Sequence, residues 1–221
     1  PLQTIDYTYN VRGWLTNINQ DATSDNDLFN FSLMYNSPTS GTALFNGNIS
    51  QTSWNTLSVD SSTKSYTYSY DALNRITGAT GASTPNYDVS GITYDKNGNI
   101  QTLIRNGHLD DTMTPAFATM DDLSYSYIGN QLKAVNDDVL ASAITGFKDG
   151  AELTTEYTYD VNGNMITDAN KGITGITYNH LNLPVQVTMA GGTINYTYDA
   201  SGVKLRKVVE NTTTDYAGNY I

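Results

Sequence analysis

Residues 157–165 read Tyr-Thr-Tyr-Asp-Val-Asn-Gly-Asn-Met, and the fold follows from that phrase. Tyr157 and Tyr159 stand two apart, so in a strand both rings lie on one face while Thr158 takes the other. Asp160 then opens a tight turn, because its side chain can bond its own downstream backbone. Gly163 accepts the left-handed conformation that closes a type I turn with a G1 bulge. The phrase is a β-hairpin written in residues. Tyr196-Thr-Tyr198-Asp199-Ala-Ser-Gly202-Val203 repeats it. Repetition bears on every residue inside it: a tyrosine that recurs in each repeat is first a building element.

Weaker copies keep the same chemistry. They are Asn10-Val-Arg-Gly13, Asp71-Ala-Leu-Asn74, Asp95-Lys-Asn-Gly98 and Asn179-His-Leu-Asn182. Where Gly is lost, Asn74 and Asn182 replace it, and Asn tolerates positive φ better than most residues. Where Asp is lost, Asn10 and Asn179 stand in. Tyrosines precede these turns at Tyr7, Tyr9, Tyr68, Tyr70, Tyr94 and Tyr178. Two further copies are shorter. Leu44–Ile49 carries Asn46-Gly47, the favoured pair for a two-residue type I′ turn, and Tyr125-Ser-Tyr127-Ile predicts a turn at Gly129-Asn130. Second strands follow with alternating apolar residues, most clearly Leu183, Val185, Val187 and Met189. Asn106-Gly107, Asp149-Gly150 and Gly191-Gly192 then return the chain to the next tyrosine strand. The expected fold is all-β: an antiparallel hairpin meander in a single array over residues 1–221. Insertions are expected at about 21–30, 108–122 and 136–150. Pro115 argues against a central strand in the second, and Val139–Ile144 in the third admits a short helix.

This pattern resembles the YD repeat of the RHS family, named for adjacent Tyr and Asp residues. Tyr70-Asp71, Tyr94-Asp95, Tyr159-Asp160 and Tyr198-Asp199 match directly, with Tyr9-Asn10 and Tyr178-Asn179 as near matches. The family includes bacterial wall-associated and polymorphic-toxin proteins, with toxin-complex shell subunits and teneurins as relatives. The resemblance implies hairpins winding into a spiral wall around a hollow, which in toxin members holds a C-terminal effector. Many members carry a self-cleaving core domain after the repeats. No such domain is legible here, so no residue is assigned to cleavage. The opening at Pro1, almost in mid-repeat, reads as part of a longer chain. The partner implied is the remainder of the same polypeptide, a C-terminal core or effector, with secretion machinery or a surface glycan as further candidates. The implied location is extracellular or at the cell surface.

Composition narrows the function classes. The net charge of −11, from 22 acidic and 11 basic residues, argues against a nucleic-acid partner and against electrostatic attachment to anionic membranes. No apolar run approaches the roughly 18 residues that span a bilayer, so no membrane insertion is expected. With no cysteine, disulfides and thiol chemistry are excluded. Seventeen tyrosines against five phenylalanines suit a thin sheet whose faces stay partly wet. Open strand edges at both ends predict solubility only with a continuation, a partner or a covering loop.

Candidate sites have to be weighed against that repeat. Asp95-Lys-Asn97-Gly-Asn99 and Asp160-Val-Asn162-Gly-Asn164 space oxygens as a calcium loop does, but neither supplies the glycine and the distal glutamate of an EF-hand, so no metal or cofactor is expected. His108 and His180 read as solvent-facing loop residues. The pairs Asp110-Asp111, Asp121-Asp122 and Asp137-Asp138 read as solvated charge. No catalytic residue is assigned and the chain is not expected to be an enzyme. The alternative is a carbohydrate-binding or adhesion module, for which Trp54 or a loop tyrosine would be the stacking platform. Asn30, Asn48, Asn195 and Asn211 are glycosylation sequons that matter only in a eukaryotic secretory setting.

Overall fold

The computed structural model describes residues 4–19, 27–57, 60–82, 87–112, 116–139, 145–218 and 220. Among the described residues there are strands and no helix. The first sheet has ten strands: β1 (Tyr7–Tyr9), β2 (Leu15–Ile18), β3 (Phe29–Met34), β4 (Gln51–Thr56), β5 (Asp60–Tyr70), β6 (Ile76–Gly81), β7 (Val89–Tyr94), β8 (Ile100–His108), β9 (Phe117–Ile128) and β10 (Gln131–Asp137). The second has seven: β11 (Tyr157–Tyr159), β12 (Met165–Asp168), β13 (Ile173–Tyr178), β14 (Pro184–Met189), β15 (Gly192–Tyr198), β16 (Lys204–Val209) and β17 (Thr212–Asp215). Strands lie side by side in chain order. The architecture is therefore a meander of consecutive antiparallel hairpins. Two compact units form along the chain, one from residues 1–122 with 139–146, the other from 123–138 with 147–221.

The repeat sets the register. Pairing shifts by one residue at the tyrosine before each four-residue turn: between Thr8 and Tyr9, Ser69 and Tyr70, Thr93 and Tyr94, Thr158 and Tyr159, Thr177 and Tyr178, and Thr197 and Tyr198. That shift is the bulge which an Asp-x-x-Gly loop requires. On the face opposite the tyrosines, short hydroxyl residues meet across the hairpin. Thr8 pairs with Thr16 at 2.9 Å, Thr93 with Thr102 at 2.6 Å, Thr158 with Thr167 at 2.6 Å, and Thr77 donates to Ser69 at 3.0 Å.

No thick apolar core forms among the described residues. Among the described residues the buried hydrophobic side chains are Tyr35, Ile92, Met120, Leu123, Val135 and Tyr157, fewer than the buried polar ones. Stability therefore rests on ladders and side-chain hydrogen bonds. In the second unit Glu156 shows how. Its backbone N–H donates to Lys133 at 2.8 Å, and its buried carboxylate accepts the Val135 N–H at 2.9 Å and the Asn170 amide at 2.8 Å. A side chain here takes a backbone donor that would otherwise be stranded.

Several expectations need correction. The first insertion ends earlier than residue 30, because β3 begins at Phe29; residues 20–26 lie outside the described ones. The second is not a loop throughout. Residues 117–122 open the long strand β9, and Asp121 is fully buried rather than solvated. Arg105 on β8 bonds it at 2.5 Å, so a carboxylate in mid-strand is charge-compensated. The third insertion begins later, since Asn136 and Asp137 belong to β10 and Asp137 is buried. The helix expected at Val139–Ile144 falls mainly on residues 140–144, outside the described ones. Asn46-Gly47 does not form a two-residue hairpin. β3 pairs with β4 from Met34↔Gln51 outward, and residues 35–50 are one long connection.

Candidate functional site

The six four-residue turns are built alike. In the second unit, Asp160 N–H donates to Asn164 C=O at 2.9 Å and Gly163 N–H to Asp160 C=O at 3.1 Å. Asp160 Oδ1 accepts the backbone N–H groups of Asn162 and Asn164, both at 2.9 Å, and Oδ2 accepts the Asn164 amide at 2.9 Å. The same pair of backbone donors, two and four residues on, meets Asp71, Asp95 and Asp199. Asn10 and Asn179 offer a single amide oxygen to the same two donors. The closing residue has positive φ in every case: Gly13, Asn74, Gly98, Gly163, Asn182 and Gly202.

These bonds favour the ionised carboxylate. The Asn164 amide holds Asp160 below the usual carboxylate range, the Asn99 amide does so for Asp95, the Ser201 hydroxyl for Asp199 and the Arg75 backbone N–H for Asp71. The calcium spacing in two of these loops has the same origin. The Asp95 and Asp160 carboxylates are turned into their own turns, and among the described residues no three His, Cys, Asp or Glu side chains converge on a metal position.

A second interaction joins five of the repeats to the one before. Tyr70 donates its hydroxyl to Ile49 C=O at 2.8 Å, Tyr94 to Ile76 C=O at 2.6 Å, Tyr159 to Leu132 C=O at 2.9 Å, Tyr178 to Met165 C=O at 2.5 Å and Tyr198 to Pro184 C=O at 3.0 Å. The acceptor sits just past the preceding turn, two residues beyond the left-handed position at 47, 74, 163 and 182. The phenol acts as a lock between neighbouring hairpins. Burial raises the pKa of Tyr70, Tyr159, Tyr178 and Tyr198. Tyr35 makes the same lock to Leu15 C=O at 2.9 Å. Sequence reading missed it, although Tyr35-Asn36 is a legible near-dyad, because no turn follows at the usual spacing.

The other repeat tyrosines do different work. Tyr68 bonds the Thr52 hydroxyl at 3.0 Å, Tyr157 accepts from the Asn170 amide at 3.2 Å, and Tyr196 lies 4.8 Å from Lys204 Nζ. Tyr125 and Tyr127 are half-buried on β9. Tyr7 and Tyr9 are exposed, at 53% and 60%. Neighbouring turns also touch where Asn replaces Gly: Asn74 Oδ1 accepts from Asn46 at 2.6 Å, and Asn182 Oδ1 from Asn164 at 2.9 Å.

The remaining candidates disperse. His180 is exposed in its turn. His108 is not a loop residue; it ends β8, bonds the Tyr87 hydroxyl at 2.5 Å and packs 4.2 Å from the Phe117 ring centroid. Trp54 stacks on Tyr66 at 5.7 Å with planes 10° apart, so one indole face is already covered.

No family model and no curated protein matches the chain. The class its fold defines, an all-β array of consecutive hairpins, is found among solved toxin-complex structures. The chain is similar to part of the Photorhabdus luminescens Tc holotoxin pore, with a TM-score of 0.59 and 12% identity over 96% of its length. It spans 12% of the length of that chain. Crystal structures of TcdB2-TccC3-Cdc42 and of TcdB2-TccC3 without the hypervariable C-terminal region match at 14% and 13% identity, over 94% and 93% of this chain and 11% of each of theirs. Their TM-scores of 0.24 and 0.25 mark loose superpositions, so the likeness of fold rests on the holotoxin pore.

Proposed function

We propose that this chain is a non-catalytic structural array of YD repeats of the RHS type. It forms part of a β-sheet wall that encloses or displays a further module of the same polypeptide, outside the cell or at its surface. The observation that carries this reading is the tyrosine lock, which recurs at Tyr35, Tyr70, Tyr94, Tyr159, Tyr178 and Tyr198 and ties one hairpin to its predecessor through a backbone carbonyl. Such a bond adds one repeat to the next without a deep core, as an extended wall needs. Turn carboxylates spent on their own backbone, and likeness of fold to a toxin-complex chain, support the same reading.

Electron microscopy of the longest natural polypeptide containing these repeats tests it. A hollow particle with density inside is expected. A solid particle, with the repeats folded onto other domains, would overturn the proposal.

A further inference from the structure

We propose that Asn46 is a site of self-modification: the Gly47 nitrogen closes a succinimide on the Asn46 side chain, and water reopens it as aspartate or isoaspartate. Asparagine before glycine is the pair most open to this chemistry, because glycine puts no side chain in the way of its own nitrogen. Four such pairs occur, at 46–47, 97–98, 106–107 and 162–163. The structure sets the first apart from the other three.

Ring closure needs a free backbone nitrogen after the asparagine and a side-chain carbonyl carbon within its reach. In the hairpin turns that nitrogen is engaged. Gly98 N–H donates to Asp95 C=O at 3.2 Å and Gly163 N–H to Asp160 C=O at 3.1 Å, so attack must first break the turn. Asn97 and Asn162 are exposed, and exposure alone does not release them. Gly107 is buried inside β8, where Met120 Sδ lies 3.0 Å from the place a Cβ would take. The extended backbone of a strand also carries the Asn106 side chain away from the next nitrogen. At Asn46-Gly47 the chain bends without closing a turn, and Gly47 N–H has no hydrogen-bond partner among the described residues.

The Asn46 side chain is also set for attack. Its Oδ1 accepts Asn48 N–H at 3.0 Å, which folds the amide back over Gly47. When the Gly47 nitrogen adds to Cγ, negative charge develops on that same oxygen, and a backbone donor is already aimed at it. Nδ2 donates to Asn74 Oδ1 at 2.6 Å, which fixes the rotation of the amide. Among the described residues no donor meets Oδ1 of Asn97 or Asn162. Water is the only co-reactant. The Gly47 nitrogen gives its proton to solvent base, the Cγ–N bond forms, the Cγ–Nδ2 bond breaks, and ammonia leaves with a proton from water. Water then adds to either ring carbonyl. One opening gives aspartate; the other gives isoaspartate, with the main chain routed through the side chain. Both put a carboxylate where Asn74 Oδ1 had a donor. This inference stands apart from the wall function, since it depends on one bend and not on what the sheet encloses.

Incubation of the 221-residue chain in mildly alkaline buffer, both folded and in concentrated urea, tests the site by peptide mass mapping with isoaspartate-specific methyl labelling. In the folded chain Asn46 should convert at least about tenfold faster than Asn97, Asn106 or Asn162, because those three react only through local opening. In urea all four should convert within about threefold of one another, since each precedes glycine and the folded contacts are gone. Asn46→Gln, at an exposed side chain, should abolish conversion at position 46, because closure would then require a six-membered ring. Folded-state conversion of Asn97 or Asn162 as fast as that of Asn46 overturns the proposal. So does aspartate at position 46 without isoaspartate, which would mean direct hydrolysis, or conversion at the original rate in Asn46→Gln. A folded-state rate at Asn46 that drops about tenfold or more below its rate in urea overturns it too, because the bend would then protect the residue as the turns do.

Discussion

The hairpin at residues 157–168 and the connection at residues 35–50 solve one problem with different backbones. The first turns in four residues around Asp160 and Gly163. The second leaves β3 at Tyr35, wanders, and rejoins the sheet at Gln51. Turn geometry is not shared, yet both tyrosines make the same bond. Tyr159 reaches Leu132 C=O and Tyr35 reaches Leu15 C=O, each at 2.9 Å. Downstream, Ile49 and Met165 each receive a tyrosine hydroxyl in turn. The repeat is therefore defined less by its turn than by where its phenol lands.

Glycine substitutions should separate the two regions most sharply. Gly163 has φ +85° and open space around it, with only Gln131 Nε2 at 4.0 Å, so its requirement is conformational alone. Gly47 has φ +100° and also faces Trp14. We expect Gly163→Val to cost about 2 kcal/mol from backbone strain and Gly47→Val about 3 kcal/mol, because the side chain also meets the indole. Urea unfolding measures both. Equal losses would mean that Trp14 gives way freely and that the connection is looser than its contacts suggest.

The lock predicts a smaller and more even effect. Tyr159→Phe and Tyr35→Phe each remove one hydroxyl donor from a part-buried carbonyl, and each should cost about 1 kcal/mol. If Tyr35→Phe were silent while Tyr159→Phe was not, the likeness between the regions would be only geometric.

The contrast also explains what could be read in advance. The hairpin meander was legible because local chemistry determines it: tyrosine alternation gives strands, and Asp or Asn followed by Gly or Asn gives the turns. The tyrosine lock was not, since its acceptor is a main-chain oxygen that any residue supplies; Leu132, Pro184 and Met165 share nothing but position. Strand β9 was hidden for another reason. Asp121-Asp122 reads as a loop by composition, and the charge compensation that Arg105 gives a buried aspartate from across the sheet is not visible in that composition. Asn46-Gly47 misled in the opposite sense, with a strong local hairpin signal overridden by the pairing of β3 with β4.

Acid should distinguish Asp turns from Asn turns. Each turn aspartate has a folded pKa below its unfolded value, so its stabilisation is complete above the unfolded pKa near 4 and fades as pH falls through the lower, folded one. Asn10 and Asn179 do not titrate. Amide exchange from pH 5 downward should therefore show protection falling at Gly163 and Asn164 before it falls at Asn182 and Leu183. Asp160→Asn should remove that acid dependence at its own turn and leave the turn intact at neutral pH. Loss of all turns together would instead point to a global event.

The smallest expected effect concerns the asparagines that replace turn glycine. Asn74 and Asn182 hold left-handed φ values of 63° and 58°, and each accepts from the turn before it. Their partners differ between the two regions. Asn164 also bonds Asp160 Oδ2 at 2.9 Å, so removing Asn182 leaves its amide engaged. The amides of Asn46 and Asn48 both converge on Asn74 Oδ1 and have no second acceptor among the described residues. Glycine relieves the left-handed strain in either case but raises the entropy of the unfolded chain. Asn182→Gly should therefore fall within a few tenths of a kcal/mol of neutral, and Asn74→Gly should cost about 0.5 kcal/mol, because two exposed amides must turn to water. A reversed order would show that the long connection does not depend on Asn74 for its position, and that bonds such as Thr39 N–H to Gln51 Oε1 and the Tyr70 hydroxyl to Ile49 C=O hold it against the sheet.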